Sequence, residues 1–245
     1  MSFVKAGRAA VLKTLRSLRE QGIRATAGRI RGKASSWYRA RADRAFDRRF
    51  GTDTSGVIEL SQLSIESDSR NDGIWYEPAS IGALRRVLDR IDPRRYPVLV
   101  DYGSGKGRVL LVASEYPFRR IVGVEFSREL HETALRNFAA YRNPRQRCRD
   151  LMSVCMDAVA FDPPAEPCVF FFFSPFRRNV MQRVLEKIRS AASRDGNDMA
   201  IVFVGRNPET IASLDGFGWH KQDLGAEWDA NRTSRHRVLV YRRHA

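Results

Sequence analysis

One segment limits the fold of this 245-residue chain more than any other. It reads Val98-Leu99-Val100-Asp101-Tyr102-Gly103-Ser104-Gly105-Lys106-Gly107-Arg108. A short apolar run passes straight into glycines at alternate positions, and a helical pattern over 106–115 follows. Glycine permits positive φ and lets a ligand approach the backbone closely. A helix starting there turns free N–H groups and its positive dipole end toward the same point. Strand, glycine turn and helix together predict a nucleotide-like ligand at the carboxyl ends of parallel strands.

The rest of the chain repeats the alternation of short apolar runs and amphipathic helices. Ile81, Leu84, Leu88 and Ile91 recur at helical spacing, with Pro78 suited to a first turn and Asp92-Pro93 as a stop. Strands are predicted at 98–100, 120–124, 154–156, 168–173 and 199–204. Ser127 is placed to cap a helix carrying Leu130, Ala134, Phe138 and Tyr141, and Val180, Val184, Leu185 and Ile188 mark another. Segments 216–224 and 236–242 suit a terminal antiparallel pair. Five strands alternating with helices predict an α/β fold with a doubly wound, mostly parallel sheet.

Charge is distributed unevenly. The chain holds 43 Lys+Arg against 28 Asp+Glu, a formal charge of +15, but residues 1–50 alone carry 14 against 3. This stretch reads as a basic helical arm, broken near Gly22 and Gly28, that suits an anionic membrane surface or a nucleic-acid backbone. Residues 51–75 read as a connecting loop, of the kind that often covers a site, and 76–245 as the ligand-binding domain. Three cysteines without a C-x-x-C pattern argue for a reducing, cytoplasmic setting rather than a disulfide framework. No apolar run approaches a membrane span. The four histidines show no metal-ligand spacing, so no metal is expected.

Three ligands compete for the glycine turn. A phosphate-binding loop requires Ser or Thr after the lysine, and Gly107 follows Lys106. A dinucleotide turn requires its third glycine where Arg108 stands. The flanks favour a third ligand. Glu125 ends the second strand, 24 residues after Asp101, where a carboxylate accepts both hydroxyls of a ribose. Phe126 suits a purine face, and Asp157, after the third strand, suits an exocyclic amine.

With these residues in view, the chain resembles the class I methyltransferases, the Rossmann-like, seven-stranded family that uses S-adenosylmethionine. It lies near bacterial members of unassigned substrate and, more distantly, near the non-SET histone-lysine methyltransferases. The resemblance covers about residues 76–242, through Tyr76-Glu77-Pro78, Asp101-Tyr102-Gly103-Ser104-Gly105 and Val122-Gly123-Val124-Glu125-Phe126-Ser127. It implies that Asp101, Gly103, Ser104, Gly105, Gly107, Glu125, Phe126 and Asp157 bind S-adenosylmethionine. It also implies a loop folded over the cofactor, with Tyr76 covering its methionine end. Where such relatives carry an Asn-Pro-Phe-like motif after strand four, this chain has Phe173-Ser174-Pro175-Phe176. Ser174 therefore replaces a target-holding carboxamide.

The chemistry this implies is methyl transfer from S-adenosylmethionine to an unidentified acceptor: a protein side chain, a small molecule or a nucleic acid. Tyr76, Glu77 and Ser174 are the catalytic candidates, and Pro175 and Phe176 the acceptor-contacting ones. Two further readings stand beside it: an NAD(P)-dependent oxidoreductase, and a non-catalytic protein whose basic arm binds nucleic acid or lipid.

Overall fold

The computed structural model describes residues 41–65, 68–73, 75–225 and 236–244. The predicted arm therefore lies outside the described residues except for 41–50, which are helical and here called α1. Residues 43–245 form one compact unit.

Seven strands make one sheet: β1 (Val98–Tyr102), β2 (Arg120–Glu125), β3 (Leu151–Cys155), β4 (Cys168–Phe173), β5 (Met199–Gly205), β6 (His220–Asp223) and β7 (Arg237–Arg242). Their order is β3-β2-β1-β4-β5-β7-β6. The first five are parallel, and β7 inserts antiparallel between β5 and β6. Helices α2 (Ile81–Leu88), α3 (Arg108–Ala113), α4 (Arg128–Ala140), α5 (Arg178–Asp195) and α6 (Pro208–Asp215) complete it.

The central strands are apolar throughout because both faces are covered. Leu99, Val169, Phe171, Val202 and Val240 pack with α2 and α3 on one face. Val98, Val100, Phe170, Phe172, Ile201 and Leu239 pack with α5 on the other. Since side chains alternate, Asp101 and Glu125 at the strand ends fall on the α2–α3 face, with Asp101 in register with Gly123.

Several boundaries differ from the sequence expectation. Helix α3 begins at Arg108, not at 106, because Gly107 is left-handed (φ +81°). Helix α2 begins at Ile81 rather than at Pro78. Just before it, the Ala79 carbonyl accepts from Arg108 Nη1 at 3.2 Å, which holds the segment extended. Strand β3 starts earlier, at Leu151, since an edge strand is half solvated and gives a weak apolar signal. Ser127 caps α4 as expected, accepting from the Leu130 N–H at 3.3 Å.

The 51–75 loop is more ordered than its composition predicts. It contains two 3-10 turns, Leu60–Gln62 and Asp68–Asp72. Single bridges join Ile58 to Tyr76 and Gly73 to Phe176. Leu63, Ile65 and Leu130 form a small apolar cluster with Ile58, Leu60, Tyr76 and Phe126 packed on it. The loop thus lies across the carboxyl ends of β1, β2 and β4.

Candidate active site

The glycine turn leaves β1 and folds back on β2. The Gly103 and Ser104 N–H groups both donate to the Val124 carbonyl, at 2.9 and 3.1 Å. Gly103, Gly105 and Gly107 all have positive φ, which accounts for their alternate spacing. Gly123 makes room for the turn: a Cβ there would lie 2.6 Å from Ser104 Oγ.

A cleft opens beside this turn. Its lining includes Tyr76, Glu77, Asp101, Gly103, Ser104, Gly105, Glu125, Phe126, Asp157, Ser174, Pro175 and Phe176. The tertiary structure thus brings together every site residue expected from the sequence except Gly107. That glycine faces the other way, and a Cβ on it would lie 2.8 Å from the Phe138 ring of α4. It supports the turn from behind.

Two buried carboxylates dominate the electrostatics. Glu125 is 3% exposed. Its Oε2 accepts from the Gly105 N–H at 2.8 Å and its Oε1 from the Ser127 N–H at 2.9 Å. Burial pushes its carboxyl up to about 7 against the pull of these backbone bonds. Asp101 is 2% exposed, and its Oδ2 has no hydrogen-bond partner. Burial, and then the neighbouring Glu125 charge, hold it well above the usual carboxylate range. An orphaned buried carboxylate is costly unless a cation or donor reaches it.

The basic residues of the turn pair with other acids, although Arg108 also lines the cleft. Lys106 Nζ pairs with Asp53 at 2.8 Å and donates to the Ser55 carbonyl at 3.1 Å. Arg108 pairs with Asp43 at 2.7 Å, and its Nε donates to Thr54 Oγ1 at 2.9 Å. Asp47 binds Thr52, Thr54 and Ser55. Burial opposes its ionisation, but these bonds outweigh burial and hold its carboxyl below the usual range. Asn137 of α4 completes the strap. Its Oδ1 accepts from the Asp53 N–H at 2.7 Å, and its Nδ2 donates to the Asp53 and Lys106 carbonyls, both at 2.9 Å. These partners of Lys106, Arg108 and Asn137 are not legible in local sequence, since they stand 31 to 84 residues away.

The remaining candidates sit as follows. Tyr76 lies over Gly105, and its hydroxyl donates to the Thr54 carbonyl at 2.7 Å. Burial raises its phenol well above the usual value. Glu77 is exposed at the rim. Phe126 is covered by the loop, near Gly73. Asp157 Oδ1 accepts from the Val159 N–H at 2.8 Å. Ser174 alone among described non-glycine residues has positive φ (41°), and its hydroxyl donates to the Val204 carbonyl at 3.0 Å. That hydroxyl is turned toward β5. Pro175 packs on Gly103.

Trp75 and Arg206 were not singled out from the sequence, yet both border the carboxyl ends of the sheet. The position of Arg206 directly after β5 is the signal that could have found it, because ligands collect at strand ends.

Five parallel strands in this order, closed by an antiparallel β7 between β5 and β6, decide the architecture. It is the Rossmann-like methyltransferase fold. No protein-family model matches the chain, and no curated protein matches it. Similar solved structures include the methyltransferase domain of bacterial CtHen1 (14% identity, 67% of this chain, 98% of that one, TM-score 0.46). A TehB-like SAM-dependent methyltransferase from Corynebacterium glutamicum is 17% identical over 65% of this chain and 86% of its own, with TM-score 0.47. Human N-acetylserotonin methyltransferase, solved in complex with SAM, is 14% identical over 66% and 52%, with TM-score 0.46. Among the described residues no group of three metal-ligating side chains occurs, and no helix is long and apolar enough to cross a membrane.

Proposed function

We propose that this protein is a methyltransferase that takes its methyl group from S-adenosylmethionine. The observation that carries the reading is the pair of buried carboxylates, Asp101 and Glu125, lining the cleft with no described basic side chain paired to either. S-adenosylmethionine is cationic at its sulfonium and its ammonium. A dinucleotide would bring a pyrophosphate to the same turn, where Lys106 and Arg108 are already committed to Asp53 and Asp43. Like charges at close range disfavour that ligand.

When bound, S-adenosylmethionine supplies a methyl already activated by the sulfonium charge. The protein's part is to align the partners and to exclude water. Asp101 Oδ2 receives the ligand's ammonium, and the free lone pairs of Glu125 receive the ribose hydroxyls. Phe126 lies against the adenine and Asp157 accepts its amine. The backbone at Gly103, Ser104 and Gly105 sets the approach, and Gly107 holds the turn against α4. Tyr76 covers the methionine end. Glu77, exposed at the rim, takes the proton of a protonated acceptor. Pro175 and Phe176 shape the acceptor side, with Ser174 setting the corner.

The enclosed volume of the cleft is about 80 Å³. Sites for ligands of this size occupy roughly 300–1,000 Å³. Binding therefore requires the cleft to widen, with the Tyr76 ring shifting off Gly105 to cover the ligand. Calorimetric titration tests the reading: S-adenosylmethionine and S-adenosylhomocysteine should both bind, and NADH should not. Absence of heat with the first two, together with quenching by NADH, would make the protein an oxidoreductase candidate instead. Transfer of labelled methyl in a whole-cell lysate then sorts the acceptor into protein, nucleic acid or small molecule.

The basic arm, 1–50, is the segment we assign to an anionic partner, on the strength of its 14 Lys+Arg against 3 Asp+Glu. Deletion of residues 1–40, which keeps Asp43 and Asp47 in place, should abolish salt-dependent association with polyanions or anionic vesicles. A cytoplasmic setting belongs to the same proposal, supported by the free thiols of Cys148, Cys155 and Cys168.

A further inference from the structure

A second hollow adjoins the cleft. It holds about 580 Å³ and shares Trp75, Glu77, Phe173 and Ser174 with the cleft, then extends past β5 to Arg206 and His236. That volume lies within the range of small-molecule sites, roughly 300–1,000 Å³. The shared wall makes it the natural approach to whatever the cleft binds.

Three side chains set its chemistry. Arg206 is exposed and forms no ion pair or hydrogen bond. Among the other titratable groups lining the hollow, Glu209 and His236 already have partners, and the His236 ring meets Phe173 edge-on at 5.5 Å. Trp75 is 52% exposed, a large planar face left open to the hollow. Glu77 is exposed on the wall between the two spaces and, like Arg206, is uncommitted.

We infer that this hollow binds the methyl acceptor, and that the acceptor is a small planar molecule bearing one anionic group, carboxylate or phosphate. Its anion pairs with the Arg206 guanidinium, whose fork suits either group. Its ring lies on the Trp75 indole, as aromatic faces stack. Its nucleophilic hydroxyl or amine is thereby directed to Glu77 and the cleft. A single cation beside two glutamates suits one anionic group better than a polyphosphate strand. The inference rests on the methyltransferase reading and adds the acceptor class to it.

The test measures affinity rather than turnover. S-adenosylhomocysteine is first titrated calorimetrically into the full-length protein. Ligand-detected NMR then follows 4-hydroxybenzoate, phenyl phosphate and the uncharged 4-hydroxybenzamide with S-adenosylhomocysteine present. At least one anion should bind about ten-fold more tightly than the amide, as a charged hydrogen bond implies. Whichever anion binds better identifies the acceptor's group. Arg206→Gln should erase the preference, Arg206→Lys should restore part of it, and Trp75→Ala should weaken both anions and the amide. Failure of S-adenosylhomocysteine to bind removes the reading beneath the inference. Normal binding of it, with equal affinity for anions and amide or with a preference that survives Arg206→Gln, overturns the inference and leaves the reading intact.

Discussion

The Tyr76 ring lies on the backbone of Gly105 so closely that a Cβ at Gly105 would overlap it, while the Tyr76 hydroxyl donates to the Thr54 carbonyl at 2.7 Å. One side chain thus ties the covering loop to the glycine turn. Gly105→Ala should force the ring off the turn and strain a backbone at φ +53°. The expected loss is about 1–3 kcal/mol of stability, as for other overpacked sites, and it is read from urea unfolding. Tyr76→Ala should instead open the cleft and speed both association and release of S-adenosylhomocysteine in stopped-flow measurements. Unchanged rates would mean that the ring is no barrier.

Stability should depend on pH through Glu125. Its carboxyl titrates near 7 when folded, against 4.5 for the ordinary group. Between those values the folded protein holds a proton that the unfolded chain has released. Its contribution is therefore fully present below about pH 4.5, and falls as pH rises to about 7, by about 3 kcal/mol. Glu125→Gln should remove that part of the decline between pH 5 and pH 8. It adds a separate, pH-independent cost, because an amide N–H would face the Gly105 or Ser127 N–H. Parallel urea series at the two pH values check this.

Ligand binding should reverse the preference of the same groups. A cationic ligand favours the ionised forms of Asp101 and Glu125, so binding near pH 6 should release protons. Calorimetry in buffers of different ionisation enthalpy would detect them. Asp101→Asn should leave the free protein at least as stable, since it removes an orphaned buried acid. It should also weaken S-adenosylmethionine by ten-fold or more. An unweakened variant would show that Asp101 does not meet the ammonium.

Asn137 holds the strap to the turn with three hydrogen bonds. Asn137→Ala leaves the Asp53 N–H and two carbonyls to find other partners, so about 2–3 kcal/mol should be lost. Hydrogen exchange should show the effect concentrated in residues 51–58 and at Lys106. A loss spread evenly over the sheet would argue against a local latch.

Much of the site was legible because its determinants are local. The glycine spacing follows from three left-handed residues in one turn, and Asp101 and Glu125 are marked by ending apolar strands. The position of Ser174 in Phe173-Ser174-Pro175-Phe176 was equally visible. Its hydroxyl direction was not, because that depends on the Val204 carbonyl of the next strand. Nor did spacing distinguish Gly107 from its two neighbours, although it serves packing against Phe138 rather than the cleft.

Local residue order specifies the layered α/β architecture, since continuous apolar runs of strand length must be buried on both faces, and it specifies the turn through glycine's conformational freedom. The apportioning of charge is set by the folded chain instead. Long-range packing gives Lys106 and Arg108 to Asp53 and Asp43, leaves Asp101 Oδ2 alone in the cleft, and sets Arg206 unpaired beside Trp75. Which ionised groups meet is a matter of distance in space, and local periodicity carries no record of it.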